Sequence, residues 1–98
     1  MRKITERAID AFYNDVPLNR NGNTSVTTEG VTTLSLFGHD IAIRSEEGLQ
    51  ITLAGWNTVT TRERLNGLDG VHVTTKKGQA YLNGQRWHGG WVLVSDWK

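Results

Sequence analysis

Apolar residues recur at helical spacing near the start of the chain. The residues of this apolar face are Ile4, Ala8, Ile9, Ala11 and Phe12, and those expected to face outward are Thr5, Glu6, Arg7 and Asp10. Such a pattern predicts an amphipathic helix over residues 3–14. Asp15, Pro17 and the polar stretch 19–23 predict that the helix ends there and that a loop follows.

The pattern changes to alternation of apolar and polar positions after this loop. Residues 24–27, 31–37, 41–43 and 49–53 predict four short strands, with turn signals at 29–30, 38–40 and 46–48. Strands joined by such tight turns form an antiparallel meander. The face that packs against the helix is expected to contain Leu34, Leu36, Ile41, Ile43, Ile51 and Leu53.

The second half of the chain predicts a short helix near residues 60–66, followed by more strands. Thr60 or Thr61 is expected to cap the helix start, and Gly67 is expected at the C′ position. Residues 71–74, 79–82 and 91–94 predict strands, and residues 85–87 pair with 81–82 in a hairpin across Asn83 and Gly84.

One domain over residues 1–98 is the expectation, because the length suits a single core and no linker or repeat divides the chain. The fold class is α+β. An N-terminal helix packs on an antiparallel meander, and both halves of the chain are expected to share one sheet system.

The composition excludes several classes of protein. The chain has no cysteine, which rules out disulfides, thiolate metal sites and a cysteine nucleophile. Charges at Glu6, Arg7 and Asp10 interrupt any signal-peptide core, and no apolar run is long enough to cross a membrane. We therefore expect a cytoplasmic protein with no membrane partner.

Positive charge is concentrated in the second half. The chain has a net charge of +1, with −2 in residues 1–49 and +3 in residues 50–98. This excess is too small to indicate non-specific binding to nucleic acid. An anionic partner is expected to contact the C-terminal half.

Three sequence motifs of the chain are distinctive. They are AGW at residues 54–56, TTRERLN at 60–66 and YLNG at 81–84, preceded by the helix over 4–12 and an Asn-Thr-x-Val segment at 23–26. In these motifs and their order, nearly the whole chain resembles a group of small proteins encoded by bacteriophages and related mobile elements. The resemblance implies a phage accessory protein in the cytoplasm of an infected bacterium, where such products neutralise host defences or redirect host machinery.

Residues 55–66 form the candidate anion site. A loop rich in Gly, Asn and Thr that leads into a helix presents backbone N–H groups and hydroxyls to a phosphate, and nearby Arg and Lys side chains add charge. In the alternative interpretation the threonines only cap the helix and the arginines are solvated. The candidate ligand-binding residues are Trp56, Thr58, Thr60, Thr61, Arg62, Arg64, Lys76, Lys77, Arg86 and Trp87.

The four tryptophans all lie in the basic half. Trp56 and Trp87 have glycine and polar neighbours, which suits the rim of a pocket where a nucleobase stacks on the indole. Trp91 begins an apolar run and is expected in the core. Trp97 can bury against a second subunit, so a homo-oligomer remains an open expectation.

Catalytic and metal sites are not indicated. His39, His72 and His88 have no metal-ligand spacing and are expected at the surface, and Ser25, Ser35, Ser45 and Ser95 lack the context of a serine nucleophile. Glu46 and Glu47 suit a solvated turn. We expect a protein that is not an enzyme and needs no cofactor.

Three binding functions remain open. The first is capture of a nucleotide-derived or other anionic signal molecule, which removes a host defence signal by mass action. The second is inhibition of a host protein, such as a CRISPR effector or a nuclease, through the sheet or its edge. The third is binding of single-stranded nucleic acid, for which the charge excess gives the least support.

Overall fold

The computed structural model describes residues 3–21 and 23–96. It begins with helix α1 (Lys3–Tyr13), which confirms the predicted N-terminal helix. Ala8, Ala11 and Phe12 are buried as expected. Thr5 is also buried and not turned outward, because its hydroxyl donates to Glu63 Oε1 at 2.5 Å.

The end of α1 is fixed to the sheet by one arginine. Arg44 Nη2 donates to the carbonyl oxygens of Phe12 at 2.9 Å and Tyr13 at 3.1 Å, and to Asp15 Oδ1 at 2.5 Å. Carbonyl groups at a helix end have no partner within the helix. Arg44 therefore both satisfies two of these groups and docks α1 on its strand.

Five consecutive strands of one sheet follow α1, all antiparallel to their neighbours. They are β1 (Leu18–Asn21), β2 (Thr24–Thr27), β3 (Thr32–Leu36), β4 (His39–Ser45) and β5 (Gly48–Ile51). The predicted meander is confirmed for β2 to β5. The predicted loop over 19–23 is partly wrong, because Leu18 to Asn21 pair with β2 through their backbone groups.

The turn between β3 and β4 is tighter than the predicted turn over 38–40. Phe37 and Gly38 alone connect the strands, with φ of 52° and 80°, so His39 and Asp40 already belong to β4. Two successive residues with positive φ are typical of the two-residue hairpin that matches strand twist. This turn projects Phe37 from the end of the sheet.

Helix α2 (Val59–Leu65) is the predicted short helix, with a different N-cap. The cap is Thr58 and not Thr60 or Thr61, since its hydroxyl accepts from the backbone N–H of Thr61 at 3.2 Å. Asn66 is the C-cap, so Gly67 occupies C′ as predicted. The Asn66 amide also exchanges hydrogen bonds with the backbone of Val73, at 3.0 and 2.6 Å.

A second, three-stranded sheet follows α2, and the expectation of one shared sheet system is wrong. Its strands are β6 (Val73–Lys76), β7 (Gln79–Leu82) and β8 (Gln85–Arg86), and the hairpin across Asn83 and Gly84 is confirmed. The chain then returns to the first sheet through β9 (Val92–Leu93), which pairs with β5, and ends in a 3₁₀ turn (Val94–Asp96).

One cluster of buried apolar side chains includes residues from both helices and both sheets. Leu34, Leu36, Ile41, Ile51 and Leu53 belong to it as predicted, whereas Ile4, Ile9 and Ile43 are half-buried. Trp91 was expected in the core but is 48% exposed, because it precedes β9 and does not enter the sheet. Trp97 lies outside the described residues.

The two helices have 11 and 7 residues. Within the described part of the chain, no helix has both the length and the apolar character needed to cross a bilayer.

Candidate functional site

An open cleft of about 360 Å³ lies between the β3–β4 turn and the segment that leads into α2. We call it the aromatic cleft. Buried Leu36, Ile41 and Leu53 contribute apolar surface, and the described residues that line it include no Lys, Arg, Asp or Glu. The complete lining is Leu36, Phe37, His39, Ile41, Leu53, Ala54, Trp56, Thr58, Thr60 and Thr61.

Two exposed aromatic side chains flank the aromatic cleft. Phe37 is 61% exposed and Trp56 is 56% exposed. The Trp56 ring lies 6.1 Å from the His39 ring, centroid to centroid, with 37° between the ring planes. The predicted place of Trp56 at a pocket rim is therefore what the structure shows, since its side chain both lines the cleft and is more than half exposed.

Tight turns hold both aromatic residues in place. Phe37 has a φ of 52°, which is unusual for a bulky side chain and costs on the order of 1 kcal/mol. On the other side, Ala54 and Gly55 have φ of 53° and 81°, and Trp56 N donates to Leu53 O at 2.8 Å. Backbone strain of this kind is concentrated at functional sites in proteins.

The hydroxyls of Thr58 and Thr61 in the predicted anion site form hydrogen bonds at the start of α2. The hydroxyls of Thr58 and Thr61 are hydrogen-bonded to each other at 3.0 Å, and Thr61 is buried. Thr60 is half-buried and lines the cleft. Because α2 has only two turns and its cap is already formed, this helix start is not a prepared phosphate site.

Arg64 is a structural residue. Its side chain is 1% exposed and donates to Thr5 Oγ1 at 2.8 Å, to Thr24 Oγ1 at 3.1 Å and to the carboxylate of Glu63. The prediction that Arg64 is an exposed phosphate ligand is therefore wrong. Its guanidinium group instead links α1, β2 and α2 beneath the surface.

Arg62 faces away from the aromatic cleft. Its Nη1 donates to Asn57 Oδ1 at 2.6 Å and to Asn57 O at 3.2 Å, and its side chain lines a shallow depression beside Val59. The guanidinium group braces the loop before α2. The structure therefore does not bring Arg62 together with Trp56 and the threonines in one cleft.

Trp87 is buried and does not form a rim. It is 2% exposed, and its indole Nε1 donates to Gly90 O at 3.0 Å. Of the neighbours that suggested exposure, Arg86 belongs to β8, and Gly90 supplies the carbonyl oxygen that accepts from the buried ring. The flanking residues do not show whether an indole is buried or exposed. A buried indole needs a nearby carbonyl group to accept from its N–H, and the residue types beside it do not reveal whether one is present.

A second cleft of about 260 Å³ lies on the other side of the turn over residues 53–56. We call it the polar cleft. Its lining is Leu53, Gly55, Asn57, Gly78, Gln79, Ala80, Trp87, His88 and Gly89. Lys77 directly precedes the lining residue Gly78, and Arg86 Nη2 is 3.5 Å from Gln79 Oε1.

The remaining predicted site residues are exposed: Lys76 in β6, Lys77 in the turn between β6 and β7, and Arg86 in β8. His39, His72 and His88 are at the surface as predicted. Among residues 3–21 and 23–96, no group of three acidic or histidine side chains is arranged to hold a metal ion.

Sequence reasoning missed most of the aromatic cleft. Phe37 was assigned to a strand, His39 to a turn and Leu53 to the core, and Ala54 was noted only as part of the AGW motif. One signal was present in the sequence. Phe37 immediately precedes Gly38, and the first residue of a two-residue hairpin turn is usually Asn or Asp. An aromatic residue there indicates a side chain presented for contact.

Comparison with known proteins identifies the source of the chain. The sequence profile described as Kyanoviridae Gp96 protein matches residues 1–97. The chain belongs to the Kyanoviridae Gp96 protein family. This is a cyanophage family, so the predicted phage origin is confirmed. No curated protein and no solved structure matches this Kyanoviridae Gp96 family member.

Proposed function

We propose that this Gp96-family chain is a non-enzymatic phage accessory protein that captures a nucleotide-derived small molecule of the host cell. The ring of the ligand enters the aromatic cleft and stacks on Trp56. The observation that supports this proposal is a cleft of about 360 Å³ with apolar walls and a half-exposed indole at its rim. Small-molecule sites are typically concave, mostly apolar and of about 300–1,000 Å³.

Capture alone is sufficient for a counter-defence role in the cytoplasm. A protein that binds a signal molecule without altering it lowers the free concentration by mass action, provided that the protein is in excess of the signal. Base stacking on an aromatic side chain contributes about 1–3 kcal/mol. The apolar cleft floor adds contact area that a flat surface lacks.

Isothermal titration calorimetry tests this proposal with defined probes. The probes are the four ribonucleosides, their 5′-monophosphates and cyclic dinucleotides. We expect at least one to bind, and Trp56→Ala to weaken binding by about 5- to 150-fold, the equivalent of a lost stacking contact. Trp91→Ala is the matched control, because Trp91 is similarly exposed but does not line the cleft. Equal losses in both variants, or no binding of any probe, would refute the proposal.

Inhibition of a host protein is a second candidate, supported by a different observation. Phe37, Trp56 and Val59 are all large, apolar and exposed, and they lie on the rim of the aromatic cleft or in the first turn of α2. Exposed aromatic residues around a pocket are typical of the energetic centre of protein interfaces.

Affinity capture from a cyanobacterial lysate tests the second candidate. We expect the wild type and Trp91→Ala to retain the same stoichiometric partner and Phe37→Asn to lose it. If Phe37→Asn retains the partner, the interface lies elsewhere. We do not propose single-stranded nucleic-acid binding, because Arg64 and Trp87, two of its candidate contacts, are buried.

A further inference from the structure

The aromatic cleft and the polar cleft are separated by a single tight turn. Leu53 lines both clefts, Trp56 lines the aromatic cleft, and Gly55 and Asn57 line the polar cleft. Gly55 is at the crest of this turn, with open space where a side chain would be. At Gly55 itself, therefore, no side chain stands between the two clefts.

Lys76 and Arg86 lie on the same sheet face as Gln79, a polar residue that lines the polar cleft. Lys76 is paired with Gln79 across β6 and β7, and Arg86 is paired with Tyr81 across β7 and β8. Side chains alternate between faces along a strand, so Lys76, Gln79 and Arg86 lie on one face. Both cations are exposed.

Gln79 is held in a fixed orientation. Its Nε2 donates to Ala80 O at 2.9 Å and to Trp87 O at 3.0 Å, which turns Oε1 toward Arg86 Nη2 at 3.5 Å. This last contact is long and occupies one of the five guanidinium donors. The other donors of Arg86 are available to a ligand at the edge of the cleft.

The polar cleft has the chemistry of an anion site. Asn57, Gln79 and His88 line it, and the described lining residues include no Asp or Glu. Arginine is suited to phosphate because its planar group donates two parallel hydrogen bonds. Among the described residues, no Lys or Arg lines either cleft, but Arg86 borders the polar cleft through its contact with Gln79.

We infer that one ligand spans both clefts, with a planar base in the aromatic cleft and a phosphate in the polar cleft, held by Arg86 and Lys76. The ligand class is a nucleotide, and a nucleoside without phosphate fills only half of the site. This inference rests on the proposed function, because it takes Trp56 as the site of the base.

The ratio of nucleoside to nucleotide dissociation constants measures the phosphate contribution. Calorimetry uses each ribonucleoside and its 5′-monophosphate on the wild type, on Arg86→Ala combined with Lys76→Ala, and on Arg7→Ala. We expect a ratio of about tenfold or more for the wild type, as for other charge-assisted hydrogen bonds. In the double variant, the ratio of the two dissociation constants should be close to one. Arg7→Ala is the control for the loss of an exposed positive charge far from both clefts' linings, on α1, and should leave the ratio unchanged.

The other outcomes of this experiment distinguish failure of the inference from failure of the proposed function. If nucleosides and nucleotides bind the wild type equally and Trp56→Ala weakens both, the phosphate site is refuted and the proposed function stands. A wild-type ratio that persists in the double variant also refutes the inference, because the phosphate is then bound elsewhere. If no nucleoside or nucleotide binds a folded wild type, the proposed function fails together with the inference.

Discussion

Arg62 and Arg64 are two positions apart in α2, yet their surroundings differ completely. Arg62 is half-exposed and donates to Asn57 in the preceding loop. Arg64 is buried against α1 and β2. Two positions correspond to more than half a helical turn, so the side chains leave the helix on different sides. Their identical residue type gave no indication of this difference.

Removal of the Arg64 guanidinium group should destabilise the fold. Arg64→Met removes the ion pair with the Glu63 carboxylate and the hydrogen bonds that the guanidinium group donates to Thr5 and Thr24, and breaking a buried pair costs about 3–5 kcal/mol. Urea unfolding followed by circular dichroism measures the free energy of unfolding. Arg62→Met is the matched control and should cost less than about 1 kcal/mol. Equal effects in the two variants would contradict the structural role of Arg64.

Phe37 should be almost dispensable for stability. Asn tolerates the positive φ at this position and relieves about 1 kcal/mol of strain, while the lost apolar contacts of a mostly exposed ring cost a similar amount. We expect Phe37→Asn to change the free energy of unfolding by less than about 1 kcal/mol and, if the protein inhibits a host protein through this rim, to lose that partner. A loss above about 2 kcal/mol would show that Phe37 is a structural residue.

The tryptophans show how far residue type predicts a site. An exposed stacking residue was expected at Trp56 and Trp87, and only Trp56 has an open face. The indole N–H of Trp87 finds Gly90 O because the glycine turn folds over the ring. Such a contact depends on the path of the backbone, which the flanking residues do not determine.

At the scale of elements, local periodicity predicted α1, β2 and β7 closely, because the spacing of apolar residues in each segment matches the face that the segment buries. Strand β1 was missed because it is short and is defined by its partner β2, and β6 begins two residues later than the predicted strand over 71–74, whereas β9 lies within the predicted strand over 91–94. Backbone pairing at a sheet edge places few demands on side chains. The same reason explains why residues 19–21 read as a loop.

The contact between α1 and the end of α2 depends on a glycine. A Cβ at Gly67 would lie 3.0 Å from Ile9 Cγ1 and 3.3 Å from Arg64 O. We expect Gly67→Ala to cost about 1 kcal/mol through overpacking. The loss should become smaller in an Ile9→Ala background, where the contact with Arg64 O remains but the contact with Ile9 is removed. A double-mutant cycle by thermal unfolding measures this coupling.

Gly90→Ala is the control for the Gly67 substitution. Nothing lies within 4 Å of the position that a Cβ would occupy there, and Gly90 has no positive φ. Alanine at this site should be neutral or stabilise the fold by up to about 1 kcal/mol, because the unfolded chain loses freedom. If Gly67→Ala behaves like Gly90→Ala in the wild-type background, the two helices do not approach as closely as described.

Phe12 anchors α1 to the six-stranded sheet. Its side chain is fully buried in the core cluster. Phe12→Ala should therefore reduce the free energy of unfolding by about 3–5 kcal/mol in urea titrations. A reduction below about 1 kcal/mol would mean that α1 is not docked on the sheet.

At the scale of the whole molecule, the aromatic cleft is formed by two separate stretches of the chain. Residues 36–41 come from the β3–β4 hairpin, and residues 53–61 come from the segment that leads into α2. The sequence placed Trp56 and the threonines near one another because they are neighbours in the chain. It did not bring Phe37 and His39 to them, since that proximity depends on how the hairpin and α2 pack on the common core.

The polar cleft depends on the arrangement of the two sheets in the same way. Leu53 N donates to Gly89 O at 2.8 Å, and Asn57 Nδ2 donates to Thr75 Oγ1 at 3.3 Å, so the turn over residues 53–56 is tied to the second half of the chain. The sequence did not indicate that Lys76, Lys77 and Arg86 lie apart from the start of α2, because that separation depends on how the two sheets pack.

Chemical-shift mapping tests most directly whether the aromatic cleft is the binding site. The assigned ¹H–¹⁵N spectrum of the full chain is titrated with an equimolar mixture of the four ribonucleoside 5′-monophosphates. We expect saturable shifts at residues 36–41 and 53–61, with the Trp56 indole N–H among the largest, and little change on α1. Saturable shifts confined to the surroundings of Trp91 or to α1, or no shifts at all, would contradict the assignment of this cleft as the functional site.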